Sequence, residues 1–343
     1  MNVSIANNMI TDKLSRNFKY LRISITDKCN YRCSYCMPKD IFDKDHQFLR
    51  KNELLSYEEI IEVVKILKDY GLEKIRLTGG EPLLRKNIEL LIRALKKDAL
   101  INEVTMTTNG SLLDMNKIIK LKEYGLNSMT ISLDSLSKNT TNTINPINND
   151  LKRVLQSIDN VIDIFGTVKI NMVVIKDIND DEIMPMLKNF IHKKVELRFI
   201  EYMDVGESNN WVSENVFTSQ DTIDLIKQEY GLIKIKDRND STSESWQIDG
   251  YPLKIGFISS ISKPFCNSCN RGRLSADGKF YTCLFSDYGH NISSYLRSYN
   301  NEGLRNFFKN IWKQRDDQYS QIRFTRKNFK RKKNKIEMSY IGG

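Results

Sequence analysis

Two groups of three cysteines hold all six cysteines of the chain. The first group, Cys29, Cys33 and Cys36, has three residues between its first two members and two between the last two. Three thiolates this close can share one metal centre, but they leave one coordination position without a cysteine. A structural zinc site usually fills all four positions with Cys or His, whereas a [4Fe–4S] cluster with three Cys ligands leaves one iron open. The nearest histidine in sequence is His46, so zinc and iron–sulfur both remain open here, and disulfides are disfavoured.

The second group consists of Cys266 and Cys269 in a CxxC arrangement, followed by Cys283. His290 would complete a Cys3His zinc site, so the spacing alone again leaves zinc open. Two zinc sites would each need a ligand other than Cys, from a chain that has only three histidines. Two [4Fe–4S] clusters, each with one open iron, use every cysteine without a remainder.

The segments around these cysteines alternate between predicted strands and predicted helices as far as residue 202. Apolar and polar residues alternate in the first strand, and the capping box at Ser56 and Glu59 marks the start of the first helix. The predicted strands are 20–25, 74–78, 103–107, 128–133, 168–175 and 195–200, and the predicted helices are 56–71, 86–97, 114–121, 151–165 and 180–192. Such alternation predicts parallel pairing with right-handed crossovers, in an open doubly wound sheet or an incomplete barrel. Either fold places its site at the carboxyl ends of the strands.

The pattern is lost beyond residue 202, where we predict a helix over 217–230, a polar loop over 238–245 and a loop-rich region around the second cysteine group. The 343 residues are 40% hydrophobic and 28% charged, an ordinary globular composition. No cationic start followed by an apolar run is present, and no apolar stretch reaches the ~18 residues of a membrane span. We therefore expect a cytoplasmic protein with reduced thiols.

The formal net charge of +10 suits an anionic partner, which the charge alone leaves as a nucleic acid or a polyphosphate. Part of the excess lies in the basic run 323–335, for which a solvated surface is the usual interpretation. The GxxxxGK[ST] motif of P-loop GTPases is absent from the sequence. Any nucleoside triphosphate would therefore be held by side chains and metal, without such a loop.

Taken together, the motifs resemble those of a known enzyme family. CxxxCxxC at 29–36 resembles the cluster motif of the radical S-adenosylmethionine (SAM) superfamily. Three further motifs resemble motifs of the same superfamily: GGEP at 79–82, TTNG at 107–110 and SLD at 132–134. FCxxCxRxR at 265–273 with Cys283, and the terminal Gly342 and Gly343, resemble the GTP 3′,8-cyclase family, the molybdenum cofactor biosynthesis protein A family. The resemblance implies an α/β fold, an incomplete (β/α)6 TIM-like barrel of the radical SAM type, over residues 1–215 with the first [4Fe–4S] cluster. Residues 216–343 would form a smaller C-terminal region with the second [4Fe–4S] cluster and the Gly-Gly tail.

The resemblance also implies roles for individual residues. Cys29, Cys33 and Cys36 would hold the cluster that binds SAM, and Cys266, Cys269 and Cys283 would hold the cluster whose open iron accepts the guanine base of GTP. The SAM pocket would comprise Tyr35, Gly80, Ser132 and Met203, and the GTP site Arg16, Arg76, Thr107, Lys169, Arg271, Gly272 and Arg273. Catalytic roles fall on Arg271, Arg273, Gly342 and Gly343, with the tail entering the active site. Ser15 stands where the family usually has Gly.

In that family a 5′-deoxyadenosyl radical takes hydrogen from C3′ of the ribose, and C3′ then joins C8 of the guanine to give 3′,8-cyclo-7,8-dihydro-GTP. The implied partners are GTP, an external one-electron reductant and a downstream cyclic pyranopterin monophosphate synthase, without membrane or nucleic acid, and a homodimer is compatible with the sequence. Two alternatives stay open: a radical SAM enzyme that acts on RNA or a peptide, and a two-cluster electron carrier or zinc-stabilised nucleic-acid module. Ferredoxins normally use four Cys for each cluster, and six βα units are more scaffold than a carrier needs.

Overall fold

Six parallel strands form where apolar and polar residues alternate, each within two residues of its predicted end. In the computed structural model, which describes residues 9–147, 150–236, 241–323 and 335–342, these strands are β1 (Tyr20–Ser24), β2 (Lys74–Thr78), β3 (Glu103–Thr108), β4 (Ser128–Ser132), β5 (Val168–Val174) and β6 (Val195–Glu201). Each pairs in parallel with the next. The prediction of parallel βα units is confirmed.

Six further strands come from the C-terminal third of the chain, where the sequence pattern predicts mainly loops. They are β7 (Leu232–Lys234), β8 (Glu244–Ile248), β9 (Lys254–Ile258), β10 (Arg271–Leu274), β11 (Lys279–Tyr281) and β12 (His290–Asn291). β9 pairs in parallel with β6, and β10 pairs in parallel with β1. The other four are antiparallel additions at the two edges. These strands are two to five residues long, too short to show a clear periodicity, and β9 and β10 pair with strands far earlier in the chain.

The described strands form one sheet in the order β12-β11-β10-β1-β2-β3-β4-β5-β6-β9-β8-β7. The consecutive order from β1 to β6 differs from that of a doubly wound sheet, whose strand order reverses, and the two ends leave the barrel incomplete, as predicted. Both edges of the six-strand series are extended by strands from beyond residue 216. The boundary between 215 and 216 therefore divides strands of a single sheet, and its status as a domain boundary stays a prediction.

The described residues include eleven helices, most of which pack their apolar residues into the core on the outer face of the sheet. They are α1 (Tyr57–Asp69), α2 (Ile88–Lys97), α3 (Met115–Glu123), α4 (Lys138–Ile144), α5 (Leu151–Phe165), α6 (Ile183–Phe190), α7 (Ser219–Lys227), α8 (Ser293–Arg297), α9 (Asn301–Gln314), α10 (Tyr319–Ile322) and α11 (Met338–Ile341). The Ser56 capping box and the Asp114 cap are both present. α4 was not predicted, and the predicted helix 180–192 begins as a 3-10 turn at 180–182. Residues 244 and 245 of the predicted polar loop 238–245 lie in strand β8, and residues 238–240 lie outside the described residues.

Strand side chains divide by their period of two. Leu21, Ile23, Ile75 and Leu77 are fully buried on the outer face, beneath the helices. The alternate residues Tyr20, Arg22, Lys74 and Arg76 face inward. The sheet therefore has an apolar outer face, which packs the core, and a charged inner face. None of the described helices is long and apolar enough to cross a bilayer.

Two neighbouring leucines of α2 test this packing. Leu91 is fully buried, whereas Leu90 is 48% exposed. We expect Leu91→Ala to lower the free energy of unfolding by about 2–5 kcal/mol, because it removes buried methyl groups and leaves a cavity. Leu90→Ala should change it by less than about 0.5 kcal/mol. Urea denaturation of both variants measures the difference, and equal midpoints would contradict this orientation of the helix.

Candidate functional site

The inner face of the sheet encloses a cavity of about 860 Å³. Inward residues of eight parallel strands line it, together with all six cysteines. Of the predicted site residues, the following also line it: Tyr35, Gly80, Ser132, Met203, Arg76, Thr107, Lys169, Arg271 and Arg273. Residues from opposite ends of the chain thus share one space.

The loop after β1 carries the first cysteine group. Backbone amides of Cys36 and Met37 both donate to the Cys33 carbonyl, at 3.0 and 2.8 Å, so the loop turns tightly at its second cysteine. Arg32 holds the Cys29 carbonyl at 2.8 Å through Nη1. Burial raises the pKa of Cys29 to about 11 and the pKa of Cys33 well above the ordinary thiol value. A coordinated cysteine must be a thiolate, so these half-buried sulfurs favour ionisation when a cation accompanies them.

Glu81 ties the GGEP turn to the TTNG turn. Its side chain is buried and accepts hydrogen bonds from Thr108 Oγ1 at 2.7 Å, Asn109 N at 2.8 Å and Leu83 N at 3.1 Å. Gly80 N donates to Thr26 O at 2.8 Å, and a Cβ on Gly80 would collide with the Lys28 backbone. The absence of a side chain at Gly80 therefore lets this turn lie directly against the cysteine loop.

Tyr35 and Asp134 join the first cysteine loop to the end of β4. The Tyr35 hydroxyl donates to Asp134 Oδ2 at 2.8 Å, and Asp134 Oδ1 accepts from Val173 N at 2.9 Å. Burial raises the pKa of Asp134 to about 6. Ser132 and Met203 line the same cavity. The four residues predicted for SAM are thus brought to one space, and their contact with SAM stays a prediction.

The two cysteine groups lie at opposite ends of a strand pair. The first group follows the carboxyl end of β1, and Cys269 precedes the amino end of the parallel neighbour β10. Cys283 follows β11, which runs antiparallel to β10, and so returns to the same end as Cys269. A five-residue strand spans about 16 Å. The cavity therefore has one thiol group at each end, with room for a ligand between them.

The two cysteine groups fit [4Fe–4S] clusters better than they fit single metal ions. Across the described ranges, no three His, Cys, Asp or Glu side chains are grouped as a single metal ion requires. His290, the fourth ligand of the zinc alternative, does not line the cavity, because its ring packs against Tyr288 and Phe307. A four-iron cluster is larger than one ion, and its thiolate ligands stand farther apart. All six cysteines are free thiols that reach the cavity.

Cys269 differs from the other thiols in its surroundings. Burial acts to raise its pKa, but the guanidinium groups of Arg271 and Arg315 outweigh burial and lower it to about 6. Burial raises the pKa of Cys283 to about 12. One sulfur of the second group is therefore poised as a thiolate by protein cations alone.

Cations line the space between the cysteine groups. Arg22 stands beside Arg76 on one side and Arg273 on the other in the strand register. Burial, opposed by Tyr20 and reinforced by Arg76, lowers the pKa of Arg22 to about 10. Burial and then Arg198 lower the pKa of Lys169 to about 8. Burial is the larger cause of both shifts and neighbouring like charges add to it, and a polyanionic ligand would offset both effects.

Several buried polar atoms in this cavity meet no hydrogen-bond partner among the described residues. They are Arg22 Nε, Arg76 Nε, Asn171 Oδ1 and Ser260 Oγ. Buried polar groups in native proteins are almost always satisfied. Their convergence on one space indicates a polar ligand that supplies both donors and acceptors.

The structure does not bring Arg16 into the cavity. Its guanidinium is buried against Asp12 and donates to the Cys266 and Asp317 carbonyls, both at 2.8 Å, so the side chain is already engaged outside the cavity. The inward Arg22 was missed, although a charged residue inside a parallel strand is itself a signal. Ser15 has φ +60°, a left-handed conformation that glycine adopts more readily.

Gly272 lies on the opposite face of β10 from its neighbours Arg271 and Arg273. An added Cβ there would lie 2.8 Å from Phe18 and Phe280, so the glycine allows close packing of the core. Only its backbone remains for the predicted GTP contact. The Arg271 guanidinium lies 4.8 Å from the Phe265 ring centroid, on the cavity side.

The C-terminal tail reaches the inner face of the sheet. Arg273 Nη1 donates to the Gly342 carbonyl, and a Cβ on Gly342 would collide with Thr78. Gly343 lies outside the described residues. The tail is anchored upstream, where Lys335 Nζ bonds Asp204 Oδ2 at 2.6 Å. The catalytic roles predicted for the tail glycines stay predictions.

The basic run 323–335 has buried ends. Arg323 and Lys335 both bond the carboxylate of Asp204 and are 6% and 5% exposed, so these two residues are not a solvated surface. Residues 324–334 lie outside the described ranges.

Comparisons with known proteins agree with this geometry. The radical SAM superfamily model matches residues 23–190, and the Molybdenum Cofactor Synthesis C model matches residues 195–321. GTP 3′,8-cyclases of Staphylococcus aureus strains bovine RF122 / ET3-1 and JH9 are each 41% identical over 337 residues, covering 97% of this chain and 99% of the relative.

Solved structures also resemble the fold. Streptococcus suis SuiB bound to S-adenosylmethionine aligns with a TM-score of 0.61 at 14% identity, covering 87% of this chain and 69% of that chain. SuiB bound to its precursor peptide SuiA aligns with a TM-score of 0.62 at 16% identity, covering 91% and 68%. These similarities concern the fold alone and confirm the predicted barrel class. Given the relatives matched over nearly their whole length, the chain belongs to the GTP 3′,8-cyclase family of radical SAM enzymes.

Proposed function

We propose that the chain converts GTP to 3′,8-cyclo-7,8-dihydro-GTP in molybdenum cofactor biosynthesis, with SAM and two [4Fe–4S] clusters. The observation that carries this proposal is the single cavity with a group of three cysteines at each end and cations between them. When bound, the first cluster supplies the electron that cleaves SAM into methionine and the radical that takes hydrogen from C3′ of the ribose. The protein has to hold SAM and GTP next to each other in a fixed orientation and keep water out of the cavity.

SAM would occupy the end of the cavity near the first cysteine group. The Tyr35 ring stands beside this space with its hydroxyl fixed on Asp134 at 2.8 Å, so the ring is held in one orientation. Gly80 presents backbone there because a side chain has no room. Ser132 and Met203 would close the pocket.

GTP would occupy the other end, with its base toward Cys266, Cys269 and Cys283. Arg76 Nη1 donates to Thr107 Oγ1 at 3.1 Å and keeps its Nε without a partner among the described residues. Arg22 and Lys169 contribute further positive charge with lowered pKa values. Guanidinium groups match phosphate oxygens in two-point hydrogen bonds, so these side chains suit the triphosphate. In this proposal Arg22, and not Arg16, is the arginine of the N-terminal segment that binds GTP.

An external one-electron reductant and a downstream cyclic pyranopterin monophosphate synthase remain the proposed partners, with a cytoplasmic location. A homodimer remains a prediction. The name of the relatives favours the nucleotide substrate over RNA or a peptide. The electron-carrier alternative does not account for the cation-lined cavity between the two cysteine groups.

Protein reconstituted with its iron–sulfur clusters tests the proposed reaction and the separate roles of the two cysteine groups. Incubated anaerobically with SAM, GTP and dithionite, the parent should yield 5′-deoxyadenosine and 3′,8-cyclo-GTP, both measured by mass spectrometry. Cys33→Ala should yield neither, because two thiolates do not hold the first cluster. Cys269→Ala should keep deoxyadenosine formation and lose the cyclised product. Normal cyclisation in either variant would contradict the proposal.

Two inward arginines test the GTP site. Arg22→Ala and Arg76→Ala should each weaken GTP binding by about 1.5–3 kcal/mol, the value of a hydrogen bond to a charged group, or about tenfold to 150-fold in Kd. Arg93→Ala, at an exposed position on α2, is the control and should bind normally. Equilibrium dialysis with labelled GTP measures all three, and unchanged affinity in both inward variants would remove these residues from the site.

Gly342→Ala tests the tail. A Cβ at residue 342 would collide with Thr78, and φ is +73°. Cyclisation should fall on the order of tenfold to 100-fold, as a misplaced active-site element allows, while iron content stays normal. Gly166→Ala is the matched control, because Gly166 has φ +78° and nothing within 4 Å of an added Cβ. Equal losses in the two variants would mean that backbone strain, and not the tail position, causes the effect.

A further inference from the structure

A buried group of three charged residues lies behind the second cysteine group. Asp12 Oδ2 pairs with Arg16 Nε at 2.6 Å and with Arg315 Nη1 at 3.0 Å. The side chains of Asp12, Arg16 and Arg315 are 0%, 2% and 1% exposed. Asp12 Oδ1 accepts the backbone N–H groups of Leu14 and Arg16, both at 2.9 Å. We call these three side chains the Asp12 clamp.

The clamp joins segments that are about three hundred residues apart in sequence. The N-terminal segment carries Asp12 and Arg16, and Arg315 follows the end of α9. Trp312 reinforces the junction, since its Nε1 donates to the Arg16 carbonyl at 3.1 Å and the Arg315 guanidinium lies 4.6 Å from its ring centroid. Because the clamp is fully buried, removing one partner would leave an uncompensated charge. The three side chains of the clamp are therefore held in one arrangement by their mutual pairing.

Each arginine of the clamp also donates to the second cysteine group. Arg16 Nη1 bonds the Cys266 carbonyl at 2.8 Å. Arg315 bonds the Cys269 carbonyl at 2.7 Å through Nη1 and the Thr282 carbonyl, next to Cys283, at 3.1 Å through Nε. The backbone at or next to each of the three cysteines is thus held from behind by two guanidinium groups.

One contact reaches a sulfur atom. Arg315 Nη2 lies 3.2 Å from Cys269 Sγ. Arg315 also pairs with Asp317 at 3.4 Å, so its charge is balanced while Nη2 remains directed at the sulfur. Hydrogen bonds to cysteine sulfurs are among the factors that set the reduction potential of an iron–sulfur cluster. A donor stabilises the more negative, reduced form and so raises the potential.

We propose that the Asp12 clamp is the positioning unit of the second cluster site and that Arg315, through its N–H to Cys269 Sγ, raises the reduction potential of the cluster held there. This inference rests on the proposed function, because it assumes that the second cysteine group holds a cluster. Arg16 and Arg315 act through the cysteines and contact no substrate.

Iron retention and the reduction potential, measured together, separate this role from ordinary support of the fold. A purely structural residue would change stability and iron retention but not the electronic properties of a cluster that is retained. Arg315 should change the potential because it bonds the sulfur, whereas Arg16 bonds only a carbonyl. The two arginines therefore give different expected results.

The experiment uses the full chain with Cys33→Ala, so that only the second cluster assembles. Iron per chain is counted, and the midpoint potential is measured by redox titration followed by electron paramagnetic resonance. Arg315→Gln should lower iron retention, because it removes one partner of the buried Asp12 carboxylate, and the potential is read from the fraction that keeps its cluster. Its reduction equilibrium should shift about tenfold toward the oxidised form, equivalent to 59 mV for a one-electron couple. Arg315→Lys, which keeps the charge, should shift less.

Two controls accompany these variants. Arg305→Gln on α9, whose partner Asp69 is exposed, should leave both iron content and potential unchanged. Arg16→Lys should lower iron retention, with the same potential in the fraction that keeps its cluster. If Arg315→Gln loses its iron, the Arg315→Lys variant carries the potential measurement.

The outcomes distinguish this inference from the proposed function. A Cys33→Ala parent that takes up no iron would overturn both. A parent with about four irons and the same potential in the Arg315 variants would overturn the inference and leave the proposed function standing. A shift of equal size in Arg16→Lys would also overturn it, because the effect would then not come from the sulfur contact.

Discussion

Like charges held inside a protein repel each other, and the inner face of this sheet gathers many of them. Arg22, Arg76 and Arg273 stand on neighbouring parallel strands at adjacent register positions. Such crowding persists because the apolar residues on the other face hold the strands in register. The apolar outer face and the charged inner face are two consequences of one period-two pattern. A ligand with several negative charges turns this unfavourable arrangement into a binding site.

Strand β1 is the common support of both cysteine groups. Its carboxyl end leads into the first group, and its parallel partner β10 begins two residues after Cys269. The separation between the groups is therefore set by the length of these strands, about 3.3 Å for each residue, and by the register of β1 against β10. The distance between the two cysteine groups is therefore fixed for any ligand that reaches from one to the other. The loops at each end carry the residues that determine the chemistry.

Local patterns in the sequence predicted much of this arrangement. The six βα units, the capping box at Ser56 and the cysteine groups each depend on residues close together in the chain. The strands after residue 216 could not be predicted, because β10 is four residues long and is stabilised by pairing with β1, about 250 residues earlier.

Arg16 and Arg22 illustrate the same limit at the level of side chains. Both are arginines near the start of the first strand, and the difference between them lies in partners far away in sequence. Arg16 meets Cys266 and Asp317, whereas Arg22 faces Arg76 and Arg273 across the sheet. The alternation of Arg22 with Leu21 and Ile23 did place it opposite the apolar face. Only the structure showed that this face lines the cavity.

The contact between Arg273 and the Gly342 carbonyl has a consequence for the order in which the molecule is made. A ribosome delivers the C-terminal residues last, after every strand of the sheet has been synthesised. The tail therefore docks onto a site whose walls have already left the ribosome, guided by the Lys335 and Glu337 contacts to residues 204–208.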